Sequence, residues 1–395
     1  MRKIEYCPLS MKELLVKMKD TSELMVDLGY SAVLYGDEDL AMEVLRLEEK
    51  MDLYDYHAQI SAMLSARTVE DAEALSGILQ IAAAAEIISN AAGDIAKIVL
   101  FTTGIPYELK RDLRQAEETL TRVAVHPDSK VLGRSLGDLR LETETGMRAI
   151  AIRRGDSWIY DPDPETVLRK GDILFARGHD EGLPLLFEMV TGKVYHHKVQ
   201  EPSGVEADLA RAVDIIVEMK NRSELAIGLA YMAVLFENED VAYAVDEIEG
   251  QMDAMRSELQ LWVLEAAKHV EDVEGLRALL QLSVSTEIIS DAALKISDVV
   301  LRDVELHPIL AMAIRESDET IARVEIQPGA PMVGKSLKDL QLETETGMYV
   351  LALKRGDRWT YNPRAKTVIE AGDQIFARGT RSGEEELLAL SSAKK

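Results

Sequence analysis

Leu141-Glu-Thr-Glu-Thr-Gly-Met147 returns letter for letter as Leu342-Glu-Thr-Glu-Thr-Gly-Met348, 201 residues further on. Seven identical residues in one chain do not arise by chance. Laid on itself at that offset, the chain comes into register without a gap. Gly133 meets Gly334, Trp158 meets Trp359, and Phe175-Ala-Arg-Gly178 meets Phe376-Ala-Arg-Gly379. Further upstream, Ser22-Glu-Leu24 meets Ser223-Glu-Leu225, and Glu86-Ile-Ile-Ser89 meets Glu287-Ile-Ile-Ser290. A repeat this long means duplicated domains, not a solenoid. The identity of the heptapeptide has two readings, a shared contact surface or a recent duplication.

Around this stretch each copy changes its grammar. Upstream, the apolar residues recur at helical spacing, as in Leu14, Leu15, Met18, Leu24, Met25, Leu28 and Val33. The spacing predicts helices at Met11 to Tyr35, Leu40 to Ala66, Val69 to Phe101 and Tyr107 to Glu118. The second copy predicts helices at Val205 to Phe236, Asp240 to Lys268, Val270 to Arg302 and Pro308 to Glu319. Small residues such as Ala82 to Ala85 and Ala91-Ala-Gly93 allow helices to approach closely. Downstream, short alternating runs and glycine turns predict an α+β module. Its strands lie at Arg122 to His126, Met147 to Arg153, Trp158 to Tyr160 and Ile173 to Arg177, with a closing helix to Thr191. The stretch from Gly192 to Gly204, with His196-His197 and Pro202, reads as a linker. Adjacent side chains in an extended linker point apart, so His196-His197 reads as solvated rather than as a metal pair.

Composition narrows the function classes. The 395 residues allow two to four domains. Forty-five Lys and Arg against 70 Asp and Glu leave a net charge of −25, which disfavours nucleic acid and favours cations. One cysteine, Cys7, excludes an intrachain disulfide framework and a cysteine-based zinc site. No uninterrupted apolar run reaches the ~18 residues of a membrane span, and Met1 to Ser10 lacks a signal-peptide core. The expectation is a cytoplasmic protein that acts on any membrane system from outside the bilayer, without direct insertion.

Two sets of residues are candidates for chemistry. On the helices, Glu48 and Asp52 are four apart, as are Glu86 and Asn90; the second copy has Glu249 with Asp253 and Glu287 with Asp291. Like charges at that spacing repel unless a cation answers them. Oxygen-rich side chains from two neighbouring helices could ligate a metal inside a bundle. An acidic face on an acidic protein is the other reading. Glu49 and Asp94 are possible extra ligands in copy one, although Asp94 meets Lys295 at the offset. In the modules, Arg153, Arg154, Lys354 and Arg355 precede the hairpin glycines and could contact an anion or nucleotide; an exposed, solvated turn is the alternative. Trp158 and Trp359 read as packing residues. No nucleophile–base pair accompanies the acids, so no enzyme is expected.

These helices and their E-x-x-x-D pairs resemble the PhoU family, over about Met11 to Leu100 and Asp208 to Leu301. That resemblance implies three-helix units binding a divalent metal ion (Fe, Zn or Mg) through Glu48, Asp52, Glu86 and Asn90, and through Glu249, Asp253, Glu287 and Asp291. It also implies a regulator of phosphate transport and signalling. Gly133-Arg-Ser-Leu-Gly-Asp-Leu139, Gly146, Ile150-Ala-Ile-Arg-Arg-Gly155, Trp158, Pro162 and Gly171-Asp172 resemble the TrkA-C domain, as do their counterparts from Gly334 to Gly372-Asp373. TrkA-C is the C-terminal regulatory half of RCK assemblies that gate potassium channels and transporters. The resemblance implies paired modules, a small ligand such as a cyclic dinucleotide, and a membrane cation channel or transporter subunit as partner. A homodimer through TrkA-C or bundle faces is also implied. No G-x-G-x-x-G opens a βαβ unit, so neither NAD nor ATP is expected.

The expected fold class is therefore multidomain α+β, with two three-helix PhoU-like bundles alternating with two small TrkA-C modules. The boundaries are 1–118 bundle, 119–191 module, 192–204 linker, 205–319 bundle and 320–395 module. The expected function is regulation of monoatomic cation transport, potassium foremost, with the PhoU-type phosphate regulator as the alternative.

Overall fold

The computed structural model describes residues 9–101, 107–113, 119–127, 129–178, 180–193, 195, 207–269, 273–302 and 306–393. Cys7, Pro202 and the His196-His197 pair lie outside the described residues. The order bundle, module, bundle, module folds into two compact units, each containing both copies. Residues 1–113 with 202–317 form the first, and 114–201 with 318–395 the second.

The first unit is helical. In copy one, α1 (Met11–Tyr35), α2 (Glu38–Ser65) and α3 (Val69–Phe101) are followed by the short α4 (Tyr107–Leu113). Ser10 caps α1 in a reciprocal capping box with Glu13, and Gly36 closes it in the left-handed region. Asp37 then caps α2, so Gly36-Asp37 makes the turn by ending one helix and starting the next. The apolar stripe of α1 is buried: Leu14, Met25 and Leu28 have no exposed surface. Each such side chain contributes roughly 1.5–3 kcal/mol.

The helix α3 packs against α1 and α2, and also against the second copy. Its small residues allow this. An added Cβ at Gly29 of α1 would stand 3.0 Å from the carbonyl oxygen of Ala92, so the two helices touch backbone to backbone. By length and composition α3 is apolar enough to cross a membrane, with a mean hydropathy of 1.3 over its best 18 residues. Gln80, Glu86, Ser89-Asn90, Asp94 and Lys97 interrupt the apolar run that sequence reading looked for. Here Ile78, Ile88, Ile95 and Ala96 of α3 are buried in the core.

Copy two repeats this order with α8 (Ala207–Phe236), α9 (Glu239–Ala266), α10 (Glu274–Ser297) and α11 (Ile309–Glu316), numbered after α5 to α7 of the intervening module. A 3-10 turn, Asp298–Leu301, follows α10. Helices α3 and α10 pack on each other, joining the two bundles. The expected helix from Pro308 to Glu319 stops three residues early. Ser317 turns its hydroxyl back onto the Ile314 carbonyl at 2.7 Å and leaves the helical region. That stop frees Glu319 for the second unit.

In the second unit each module is a four-stranded antiparallel sheet. The first contains β1 (Thr119–Ala124), β2 (Met147–Arg154), β3 (Ser157–Tyr160) and β4 (Ile173–Gly178), in the order β1-β4-β2-β3. The second contains β5 (Thr320–Glu325), β6 (Tyr349–Arg355), β7 (Arg358–Tyr361) and β8 (Gln374–Gly379), in the order β5-β8-β6-β7. Helix α7 (Leu183–Thr191) and its counterpart α14 (Arg381–Ser391) close the two modules. The short helices α5 (Leu136–Leu139) and α12 (Leu337–Leu340) are capped by Ser135 and Ser336. The helices α6 (Leu141–Thr145) and α13 (Leu342–Thr346), made by the repeated heptapeptide itself, were not expected from the sequence. Five residues hold no periodicity long enough to read.

Candidate functional site

Helices α6 and α13 pack against each other, so the duplicated stretch meets its own copy. The repeated heptapeptide is thus a contact surface between the two copies. A self-complementary contact requires the same residues on both sides. The glycines show how close the approach is. Gly146 and Gly347 sit at φ of +67° and +69° and end α6 and α13. An added Cβ at Gly146 would lie 2.6 Å from Thr344 Cα, and one at Gly347 would lie 2.7 Å from a carboxylate oxygen of Glu142.

Between the paired modules lies a narrow pocket of about 20 Å³, lined by Glu142, Arg148, Arg177, Glu319, Glu343, Tyr349 and Arg378 among others. Glu319 of copy two is its hub. Arg148 Nη1 reaches its carboxylate at 2.6 Å, Arg177 bonds to the same oxygen, and Arg378 Nε lies 3.3 Å from the other oxygen. Two of these arginines come from the first module and one from the second. Arg148 also bridges Asp161 at 3.3 Å. Burial alone would lower the Arg148 pKa; Glu319, Asp161 and Glu142 outweigh it and hold the guanidinium charged.

The outlying carboxylates are held less firmly. Glu142 accepts from the Thr380 hydroxyl of the other module at 3.1 Å. Burial pushes its carboxyl up to about 7, against the opposing pull of Arg148 and Thr380. Burial likewise pushes Asp161 up to about 7. The two halves of the pocket differ: at the offset, Arg148 becomes Tyr349 and Asp161 becomes Asn362. The ion pair of one half is thus a neutral hydrogen bond in the other, from the Tyr349 hydroxyl to Asn362 at 3.3 Å. None of this was read from the sequence, apart from Glu142 and Glu343 in the heptapeptide. The coincidence of the Ala-Arg-Gly runs at Arg177 and Arg378 was the available signal.

The basic residues chosen from the sequence lie elsewhere in the modules. Arg154 donates to both carboxylate oxygens of buried Asp172, at 2.9 and 2.8 Å, and Arg355 does the same to Asp373 at 2.7 Å. Asp172 also accepts from the Arg169 backbone at 2.7 Å, so the repeated Gly-Asp is a folding device. Arg153 and Lys354 lie over the rings of Trp158 and Trp359. The tryptophans in turn pack on Phe175 and Phe376, with centroids 5.4 and 5.2 Å apart.

On the bundles, the acids are answered by the protein's own cations. Lys97 reaches Glu48 at 3.4 Å and Asp94 at 2.8 Å, and the Asn90 amide donates to Glu86 at 2.7 Å. In copy two, Arg256 reaches Glu287 at 3.0 Å and Asp253 at 3.6 Å. Burial raises the pKa of Glu48, Glu86, Glu249 and Glu287; Asp253 and Asp291 add to the shift on Glu249 and Glu287. Among the described residues, no group of three or more His, Cys, Asp or Glu is arranged to hold a metal ion. The expected Fe, Zn or Mg site is therefore corrected: the described residues are not arranged to hold one.

Comparison with known proteins places these elements. The TrkA-C domain matches at residues 120–191 and 321–392, and the PhoU domain at 15–99. The second bundle, expected to be a PhoU unit too, shares the helix order but lies outside that match. The chain is 29% identical over 86 residues to "Probable potassium channel protein 2" of Methanocaldococcus jannaschii, covering 22% of this chain and 25% of that protein. It is 35% identical over 79 residues to "Potassium channel protein 1" of the same organism, covering 20% and 23%. The chain thus spans about a quarter of the length of these curated relatives. Among solved structures, the "Crystal structure of PhoU from Pseudomonas aeruginosa" aligns at 12% identity and TM-score 0.40, covering 74% of this chain and 93% of that one. The "GsuK channel bound to NAD" aligns at 15% identity and TM-score 0.19, covering 70% and 53%. NAD, which the sequence reading did not expect here, is named as bound to that channel.

Proposed function

We propose that this chain, which carries one PhoU domain and two TrkA-C domains, is a regulatory protein of a potassium transport system. PhoU and TrkA-C domains are non-catalytic regulatory modules, typically cytoplasmic, so the chain does no chemistry of its own. The observation that carries the reading is the pairing of two TrkA-C modules within one chain, clasped at Glu319 by arginines of both. A charged clasp at such a joint has two natural states, closed and opened. A solute that binds one state better shifts the population presented to the partner. The names of the matched relatives supply potassium as the transported ion and a membrane channel as the partner.

The PhoU match favours a second reading, a regulator of phosphate transport. Potassium and phosphate uptake measured in cells lacking the protein, then complemented with wild type or Arg177→Ala, separate the two. The potassium reading expects potassium uptake to change and phosphate uptake to hold. The reverse result supports the phosphate reading, and no change in either sinks both.

A further inference from the structure

Helix α2 packs against α1 and α3, and its buried stripe of Leu40, Val44, Leu47 and Met51 serves that packing. A second apolar row runs along the same helix. Met42, Leu45, Leu53, Tyr56, Ile60 and Met63, with Glu49 among them, follow one another at steps of three and four and so share one face. Met42, Tyr56 and Met63 are 46, 43 and 70% exposed, and the other three apolar residues are half-buried. A helix at a protein surface needs one apolar stripe, not two. Single exposed apolar residues need no reason, but a row of about 31 Å, at 1.5 Å per residue, marks a contact surface.

The second copy serves as an internal control. At the offset, Leu45, Leu53 and Tyr56 become Asp246, Ala254 and Ser257 of α9, so the row keeps its ends and loses its middle. The charges beside it change as well. Along one edge of the α2 row, Asp52 and Asp55 crowd Glu86 of α3. Among the described residues, no lysine or arginine pairs with these three; Asp55 accepts from the Gln59 amide and Glu86 from the Asn90 amide. Asp55 becomes Arg256 in copy two, where it reaches Glu287 at 3.0 Å and answers the acids from within. Copy one therefore combines a continuous apolar row with unanswered negative charge.

We propose that this outer face of α2 docks a helical segment of the membrane partner, apolar along one side and carrying lysines or arginines along the edge that meets Asp52, Asp55 and Glu86. The inference rests on the reading that the partner is a membrane transport subunit. Cytoplasmic segments of such proteins carry an excess of lysine and arginine, and an amphipathic helix laid along an apolar row is a recurring mode of recognition. Charge disfavours the other occupants. A two-fold contact between two copies would set Glu49 and the acidic edge near their own counterparts, in a chain of net charge −25. The same edge repels an anionic lipid surface.

The test titrates the full chain into a fluorescein-labelled 21-residue helix of leucine and lysine, leucines along one face and lysines beside them, read by anisotropy. A serine–lysine peptide of equal charge measures the binding that charge alone gives to so acidic a protein. Wild type is expected to bind the leucine peptide at least about tenfold more tightly than the serine peptide, as burial of several leucines on the row requires. Leu53→Ala with Tyr56→Ser, the residues that copy two already carries, should remove most of that difference. Asp55→Arg, also taken from copy two, should weaken binding several-fold at low salt and less at high salt. Tyr243→Ser on α9 should change nothing. Equal binding of the two peptides by wild type overturns the proposal, as does a double variant that binds like wild type. Self-association of wild type in sedimentation that the double variant abolishes assigns the face to a second copy and also overturns it. Should the double variant fail to fold, Asp55→Arg against Tyr243→Ser decides. No transport is measured, so this result stands apart from the uptake assays that test the function.

Discussion

Glu142 offers the sharpest test of the paired-module pocket. Its carboxyl, bonded to Thr380 of the other module, is raised by burial from 4.5 to about 7. A raised acid favours its proton in the folded state. Its contribution is therefore neutral below the unfolded value near 4.5. It becomes a growing penalty as pH rises, and levels off above the folded value near 7. The full shift corresponds to up to about 3 kcal/mol, at 1.36 kcal/mol per pH unit. Glu142→Gln removes the charge and keeps an acceptor for Thr380. It should leave stability unchanged near pH 4.5 and raise it by up to about 3 kcal/mol at pH 8. The assay is urea unfolding followed by tryptophan fluorescence. Of the three tryptophans, Trp158 and Trp359 lie in the sheet unit and Trp262 in the helical one. A Trp262→Phe background therefore reports the pocket's own unit. A gain equal at both pH values, or larger at low pH, refutes the argument.

Gly146→Ala places a Cβ against Thr344 at a φ of +67°, and should cost about 2–4 kcal/mol of the sheet unit's stability in the same assay. Glu319→Gln leaves Arg148, Arg177 and Arg378 facing one another, and about 3–5 kcal/mol should be lost, as when one member of a buried ion pair is removed. Arg154→Ala strands the fully buried Asp172 and should lower the urea midpoint by a similar order, with potassium-dependent readouts following stability only. Lys97→Met removes the cation that answers Glu48; with Glu48 already raised by burial, the helical unit should lose up to about 1 kcal/mol at pH 8 and less at pH 5, measured by circular dichroism.

Much of the fold was legible because its signals are local. The periodic leucines of α1 and the Gly-Asp at the head of β4 each act within a few residues. The candidate site was legible only in outline. The acids on α2 and α3 were found from their spacing, but Lys97, which answers Glu48, lies 49 residues away in the chain. Arg154 drew attention as a basic residue at a turn, yet its partner is Asp172, 18 residues on. Spacing reports which residues share a face and is silent about what the facing element brings.

Sequence alone determined that the chain is one unit written twice, helical and then α+β, in register throughout. Tertiary structure alone decided which parts of the two copies meet. It placed the identical heptapeptide against itself, gathered three arginines around Glu319, and set the Tyr30 hydroxyl against Thr286 of the other copy. Repeats are visible along a string, whereas a charge or a hydroxyl acquires its meaning from neighbours as far as 256 residues away for Tyr30 and 304 for Lys12.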